Sequence, residues 1–527
     1  MTKELRVFGP PGTGKTTFLS KQISLAASKY GSDAVMAASF TKAAAVELVS
    51  RELPVSKENV GTLHALCYRA LGMPKIAETK IREFNESQSI YRLSGGSVDI
   101  DEPEQSYDTE SDALFAQYQI YRSRIIPRDM WAVDVQAFAK KWDGWKYESE
   151  YIDFTDMIEL AIKRSIAPPH GVRVGFFDES QDFTKLELKL VRMWGEQLEY
   201  IVVAGDDDQA IFGFKGSDAE AFLNPPLPED QVRILEQSYR LPLMIHTYSA
   251  QWIDQVVNRQ PKWFRSREGS DGQVVNRKDL FFKNPERIVD VVQEFQDIDP
   301  SQSTMIVGAC SYQLRPLVDE LKRRGLLFHN PYRTKRGDWN PLGNTAGLST
   351  PKRLEALLRH PWSYGDIRAW SALVARTGVF SRGAYERIVT GPSADDYPSE
   401  TAREQLFSYG VEKQIRNNPL GWVMEHATTQ KKSVLEYPVQ IIQKHGIEKL
   451  HEKPGIIVGT IHSVKGGEAD SVILLPDLSP AGMRQYASDR ERQHIIRQFY
   501  VGMTRAKERL ILCNQSSPMS VRWGEIS

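Results

Sequence analysis

The sequence is poor in cysteine, with only Cys67, Cys310 and Cys513, widely spaced and odd in number. That argues against a disulfide framework or a cysteine-ligated zinc site, and for a reducing compartment. Long apolar runs are also missing; none approaches the roughly 20 residues needed to cross a bilayer. No membrane partner is therefore expected. No signal-type hydrophobic stretch precedes the glycine-rich segment that starts at residue 9, so the expected location is cytoplasmic. Neither sign of charge dominates: 67 Lys+Arg stand against 68 Asp+Glu, a net charge of −1. A nucleic-acid partner would have to be met by a local basic track, because the overall field does not attract one. What the 527 residues do offer is length for several domains and a large core.

Against that background one stretch stands out. Gly9-Pro10-Pro11-Gly12-Thr13-Gly14-Lys15-Thr16, followed by Thr17, fits G-x-x-x-x-G-K-[ST]. Leu5 to Phe8 reads as a strand before it and Thr17 to Lys29 as a helix after it, which is the context such a phosphate loop requires. Gly12 and Gly14 let consecutive backbone N–H groups face a polyphosphate, and the helix N-terminus adds partial positive charge. Lys15 is expected on the β- and γ-phosphates and the Thr16 hydroxyl on Mg²⁺. Val172 to Phe177 reads as a strand ending in Asp178-Glu179, which looks like a Walker B pair. There Asp178 would hold Mg²⁺ and Glu179 would orient and deprotonate water. Tyr200 to Ala204 is a further strand that ends in GDDDQAIFGFKG, residues 205–216. In that loop Gln209 can sense a phosphate, while Phe212, Phe214 and Lys215 can hold a base and a backbone charge. For the phenylalanines taken alone, core packing is the competing reading.

Between these motifs the character changes. Ala34 to Phe40 reads as a buried parallel strand, with Thr41 capping a helix over Lys42 to Arg51. Gly61 to Ala65 reads as a strand end or turn. Leu71 to Ile152 is helical in pattern and carries Trp131, Trp142 and Trp145. The tryptophans suit a small-domain core better than a base-stacking patch. Asp99 to Asp112 holds seven acidic and no basic residues and reads as a solvated loop. A basic stretch, Lys322, Arg323, Arg324, Arg333, Lys335 and Arg336, is either a backbone-contacting patch or a solvated face. Alternating strands and helices after a phosphate loop imply an α/β fold with a parallel sheet.

DESQD (Asp178 to Asp182), GDDDQAIFGFKG and EQSYR (Glu236 to Arg240) resemble the UvrD/Rep family of superfamily 1 DNA helicases. SFTKAAAVEL (Ser39 to Leu48), GTLHAL (Gly61 to Leu66), GTIHSVKGGEADSVIL (Gly459 to Leu474) and RQFYVGMTRAKERLIL (Arg497 to Leu512) match its remaining motifs in family order. The resemblance implies two RecA-like motor domains, each with a mainly helical insertion. The first motor domain would be 1–70 and 153–240, with insertion 71–152. The second would be 241–329 and 445–527, with insertion 330–444. It further implies ATP and Mg²⁺ between the motor domains, with Tyr239 stacked on adenine and Glu468 on the ribose. Lys15, Glu179, Gln209, Arg240 and Arg505 would act on the transferring phosphoryl group. Single-stranded DNA would meet Phe40, Phe212 and Phe214 through its bases and Thr62, His64, Lys215, Thr460 and His462 through its backbone. A 3′→5′ direction and a duplex-junction substrate follow from the resemblance alone. Two departures are read: the family's Trp-Arg pair is Phe214-Lys215 here, and with eight residues before Gly9 its upstream adenine-contacting Gln segment is not expected. Two other functions compete: a translocase that strips proteins from single strands without unwinding, and a nucleotide-gated DNA-binding subunit without turnover. His64 and His462 lack the partners that would make them metal ligands.

Overall fold

The computed structural model describes residues 3–40, 54–95, 109–333, 339–342, 349–489 and 491–524. The helix expected after Thr41 and most of the acidic run lie outside them. The first sheet is built from β1 (Glu4–Phe8), β2 (Val35–Ser39), β3 (Val60–Gly61), β4 (Val174–Asp178), β5 (Tyr200–Gly205) and β6 (Val232–Ile234), in the order β3-β2-β4-β5-β1-β6. All five pairings are parallel. Alternate side chains of its strands go to opposite faces, as a two-residue period requires. Val7, Val35, Ala37, Val174, Phe176, Val202 and Ala204 pack on one face with Leu19 and Ile23 of the helix Lys15–Tyr30. Phe8, Met36, Ala38, Phe177, Ile201 and Val203 pack on the other with Leu63, Met157, Leu190 and Trp194. Burial on both faces explains why these strands read as continuous apolar runs.

A second sheet contains β7 (Gln273–Arg277), β8 (Thr304–Gly308), β9 (Phe328–His329), β10 (Ile456–Thr460), β11 (Ala469–Leu474) and β12 (Ala506–Cys513), in the order β7-β12-β11-β8-β10-β9. The pairings β9–β10, β11–β12 and β7–β12 are parallel. Two parallel six-stranded sheets surrounded by helices give the α/β class that the motifs imply.

Packing divides the chain into two units. One comprises residues 1–278, 307–310 and 460–527; the other comprises 279–306 and 311–459. In the first, the segment between β3 and β4 folds helices around Phe84, Tyr118, Trp131, Phe138, Trp142 and Trp145. The tryptophans are therefore core, and Trp142 donates its indole N–H to buried Asp153 at 3.0 Å. Asp153 also accepts from Arg122 at 2.9 Å and from Lys146 at 2.5 Å, so the buried carboxylate is fully answered. Thr62 caps a helix, Leu63–Ala70, where the sequence reading placed a strand end or turn; its hydroxyl accepts from the Ala65 N–H.

In the second unit, seven described helices run from Thr350 to His445, with Trp362, Trp370, Phe380, Phe407 and Trp422 among their buried aromatics. Of the basic stretch read there, Arg323 forks onto Glu320, and Arg324 bonds to Glu320 through Nε and to Asp290 through Nη1. Lys335 and Arg336 lie outside the described residues.

Candidate active site and nucleic-acid interface

Phe8 and Gly205 are register partners, as are Ser39 and Asp178, so four carboxyl-terminal strand ends meet at one edge of the first sheet. In open parallel sheets that edge is where ligands bind. Gly9 to Gly14 occupy it. Gly9 N donates to Gly205 O at 2.9 Å, and both Thr13 N and Thr13 Oγ1 return to Pro10 O, at 3.2 and 2.8 Å. Pro10, Pro11 and Thr13 are buried. Gly12 has φ +73°, and a Cβ there would stand 2.4 Å from Arg240 Cβ, so this turn admits only glycine. Gly14, also at φ +73°, opens the helix whose first turn carries Lys15, Thr16 and exposed Thr17. The loop is tied to the Tyr239 segment: Ser238 Oγ donates to Pro11 O and Tyr239 N donates to Gly12 O, both at 2.8 Å. Tyr239 presents its ring to solvent beside Gly14, 70% exposed.

Lys15 Nζ lies 2.7 Å from Glu179 Oε1 and 3.3 Å from Asp178 Oδ1. Burial alone would pull this ammonium down, but the two carboxylates more than offset it and hold it above its usual range. Glu179 takes a left-handed backbone, φ +53°, directly after β4. A non-glycine residue in that conformation at a ligand edge marks a constrained position. Desolvation pushes the Glu179 carboxyl up, but Lys15, Lys465 and bonds from Lys15 and Gln181 hold it down at about 2, so it is ionised. Asp178 shifts the other way, raised by burial and by the neighbouring Glu179 charge. Thr16 and Asp178 offer a hydroxyl and a carboxylate, the hard oxygen donors that suit Mg²⁺. Beside them Ser39 buries a hydroxyl that has no partner among the described residues. The donor set and the orphaned hydroxyl fit a hydrated Mg²⁺.

From these acids a continuous chain of bonds leads to the far end of the sequence. Gln181 Nε2 donates to Glu179 at 2.5 Å and, at 3.2 Å, to Asp182. Asp182 accepts from Lys465 Nζ at 2.5 Å, and Lys465 also donates to Gln209 O at 2.7 Å. Burial pushes the Asp182 carboxyl up to about 6 despite that ion pair. Gln209 accepts at Oε1 from Arg505 Nη2 at 3.0 Å. Arg505 is fully buried and also donates to the Val501 and Gly467 carbonyls. Glu508, a possible alternative partner for Arg505, pairs with Arg267. Arg240 Nε bonds to the half-exposed Glu468 at 2.8 Å. Sequence reasoning assigned no role to Gln181, Asp182, Ser238 or Lys465. The first two sit inside a quoted motif, and Lys465 is the lone cation before a Gly-Gly pair.

The predicted strand-binding residues separate into two groups. Phe40 and Phe214 are partly exposed. Phe212, between them, is buried; its ring stacks on Phe40 at 5.6 Å and meets Phe214 edge-on at 6.0 Å. It packs against both of the other rings, as the competing core reading expects. Thr460 and His462, read as backbone contacts, are also buried. Thr460 Oγ1 accepts from Ser463 N, and His462 lies between the Ile211 carbonyl and Gln498. Burial holds the His462 imidazolium down at about 4, so the ring is neutral. Thr62 is engaged as a helix cap, while His64 keeps a third of its side chain in solvent, 3.6 Å from Glu187. Lys215 Nζ lies 5.9 Å from the Phe212 ring centre. Among the described residues no cluster of His, Cys, Asp and Glu could hold a metal by itself, and no helix is long and apolar enough to cross a membrane.

Comparison with known proteins matches residues 1–226 to the UvrD/REP helicase N-terminal domain and residues 424–517 to the UvrD-like helicase C-terminal domain. Together these span more than half of the chain. Similar proteins include the ATP-dependent DNA helicase PcrA of Bacillus subtilis, 24% identical over 49% of this chain and 39% of its own length. Another is DNA helicase II of Escherichia coli K12, 25% identical over 56% of this chain and 44% of its own. The chain thus spans less than half the length of these relatives.

Proposed function

This chain belongs to the UvrD/Rep-like helicases, and from that membership we propose that it is a DNA-dependent ATPase that moves 3′→5′ on single-stranded DNA and separates duplex at junctions. In this reading residues 1–70 and 153–240 form one motor domain and 241–329 with 445–527 the other. The observation that carries it is the unbroken path of bonds from Lys15 through Glu179, Gln181, Asp182, Lys465 and Gln209 to Arg505. A nucleotide-gated binding subunit would need no buried arginine poised at the phosphate-sensing glutamine.

An arriving polyphosphate competes with Asp178 and Glu179 for Lys15. Glu179, released from its closest cation, is held less strongly as the free carboxylate and becomes a better proton acceptor for the attacking water. Thr16 and Asp178 would hold Mg²⁺, which when bound would supply neutralisation of phosphate charge. Arg505 and Arg240 stabilise the charge that develops on the transferring group. Tyr239 offers its open face to the base, and Glu468 lies beside Arg240 where a ribose would sit. Phe40 and Phe214, both partly exposed, would offer ring faces to nucleobases, with Lys215 and His64 as the candidates for backbone contact.

The test is phosphate release with single-stranded DNA, single-stranded RNA or neither, followed by strand displacement from duplexes with a 3′ or a 5′ overhang. Stimulation by DNA and displacement only from the 3′ overhang are expected. Stimulated hydrolysis without displacement would instead identify a translocase.

A further inference from the structure

The loop that carries Gln209 begins with three consecutive aspartates, Asp206, Asp207 and Asp208, and all three are fully buried. Buried carboxylates are costly unless paired, and an apolar turn would pack at lower cost. Their side-chain partners come from a segment, residues 259–262, that no functional motif covers. Lys262, whose side chain is 1% exposed, places Nζ 3.0 Å from Asp206 Oδ1, 2.5 Å from Asp207 Oδ1 and 2.9 Å from Asp208 Oδ2. Arg259 forks onto Asp208 at 2.9 and 2.6 Å. Arg497 Nε donates to the Asp207 carbonyl at 2.8 Å from the helix that ends just before Arg505. Three buried acids thus face three cations.

Only one of these acids reaches onward. Asp206 Oδ2 accepts from Gln209 Nε2 at 2.7 Å, and the other end of the same amide, Oε1, accepts from Arg505 at 3.0 Å. A carboxylate only accepts and a guanidinium only donates, so the two neighbours fix the amide in one orientation. Turned over, it would set its NH₂ against the arginine, donor against donor, and its oxygen against the carboxylate. The orientation therefore depends on the acceptor that Asp206 offers in a buried place, and the cation nearest its other oxygen is Lys262.

We propose that Lys262 is a positioning residue for phosphoryl transfer, holding Asp206 so that the Gln209 amide presents its oxygen to Arg505. The relay runs Lys262 to Asp206 to Gln209 to Arg505, and Asp207 and Asp208 fix the loop on which it is built. Lys262 touches no nucleotide, and its effect on turnover passes entirely through Gln209. This rests on the ATPase reading given above.

Lys262→Met, which keeps length and apolar stem but removes the charge, tests it. The DNA-stimulated kcat, measured at equal folded fraction, should fall at least tenfold while the KM for ATP changes less than threefold. Lys262→Arg should restore at least a third of the rate. The double variant Lys262→Met, Gln209→Ala should be no slower than Gln209→Ala alone, because both act on one path. A purely structural lysine would give effects that multiply. Hydrogen exchange, which needs no activity, should rise in residues 205–215 and 503–506 of Lys262→Met and stay unchanged in residues 9–17. If Lys262→Met does not fold, Asp206→Asn carries the same expectations, since its amide cannot accept from both neighbours as the carboxylate does. A kcat within twofold of wild type, or multiplying effects, overturns the relay. A wild-type protein that hydrolyses no ATP overturns the functional reading itself, and the exchange measurement still judges the relay.

Discussion

Arg505→Ala is the perturbation whose consequences can be worked out furthest. The side chain makes hydrogen bonds to Val501 O, Gly467 O, Gln209 Oε1 and Thr504 Oγ1. Val501 O also accepts from the Thr504 hydroxyl at 3.1 Å, so it stays answered after truncation. Gly467 O and Gln209 Oε1 each lose a donor. At about 1–3 kcal/mol for a buried group left unsatisfied, the fold loses about 2–6 kcal/mol, less if water refills the space. The catalytic loss is separate. An arginine that stabilises a transferring phosphoryl group contributes about 10³–10⁵ in rate, which is about 4–7 kcal/mol of barrier. Turnover should therefore collapse well beyond what instability explains. Steady-state phosphate release with single-stranded DNA, run below the variant's melting temperature and normalised to folded protein, separates the two. Arg505→Lys, which keeps the charge and loses the fork, should also lose most activity. Retention of more than about a tenth of the wild-type rate, equivalent to less than about 1.4 kcal/mol, would refute the assignment of Arg505 to the transition state.

Glu179→Gln should retain ATP and DNA binding and lose turnover, because the amide cannot take a proton from water; hydrolysis near the wild-type rate, read by phosphate release, would remove Glu179 from its role. Phe214→Ala should weaken single-strand binding by about 1–3 kcal/mol with basal ATPase unchanged, whereas Phe212→Ala should lower the melting temperature first, since that ring is buried. Fluorescence anisotropy and thermal melting distinguish these outcomes. His462, neutral when folded with its pKa near 4, should draw stability away as pH falls. A buried imidazole whose folded pKa lies below its unfolded value of about 6.5 contributes fully above that value and loses its contribution towards pH 4. The upper limit is about 3 kcal/mol, and comparing the acid limb of wild type with His462→Gln should show the variant flatter over that window.

What the sequence made legible was local. The phosphate loop, the Asp178-Glu179 pair and the Gln209 turn each sit at the end of an apolar strand, and the resemblance to helicase motifs follows from the same short stretches. What it hid depends on apposition. Asp182 and Lys465 are 283 positions apart, and no periodicity links them. His462 and Phe212 look like surface residues in polar loops, but they are buried against one another from distant parts of the chain, His462 reaching the Ile211 carbonyl. The turn reading at Gly61 to Ala65 overlooked Thr62 as a helix cap, a signal that was present in the sequence. Trp131, Trp142 and Trp145 were read correctly as core because three large apolar rings in a short helical stretch need one.

The central claim is that Lys15 and Arg505, at opposite ends of the chain, serve one DNA-stimulated hydrolysis reaction. The most direct measurement is the rate of phosphate release from ATP by the wild-type protein and by Lys15→Ala and Arg505→Ala, with and without single-stranded DNA, at matched folded fraction. The account predicts strong stimulation by DNA in the wild type and its loss in both variants, with nucleotide-free DNA binding preserved. Wild-type protein that releases no phosphate, or an Arg505→Ala variant that DNA stimulates as strongly as the wild type, would contradict it.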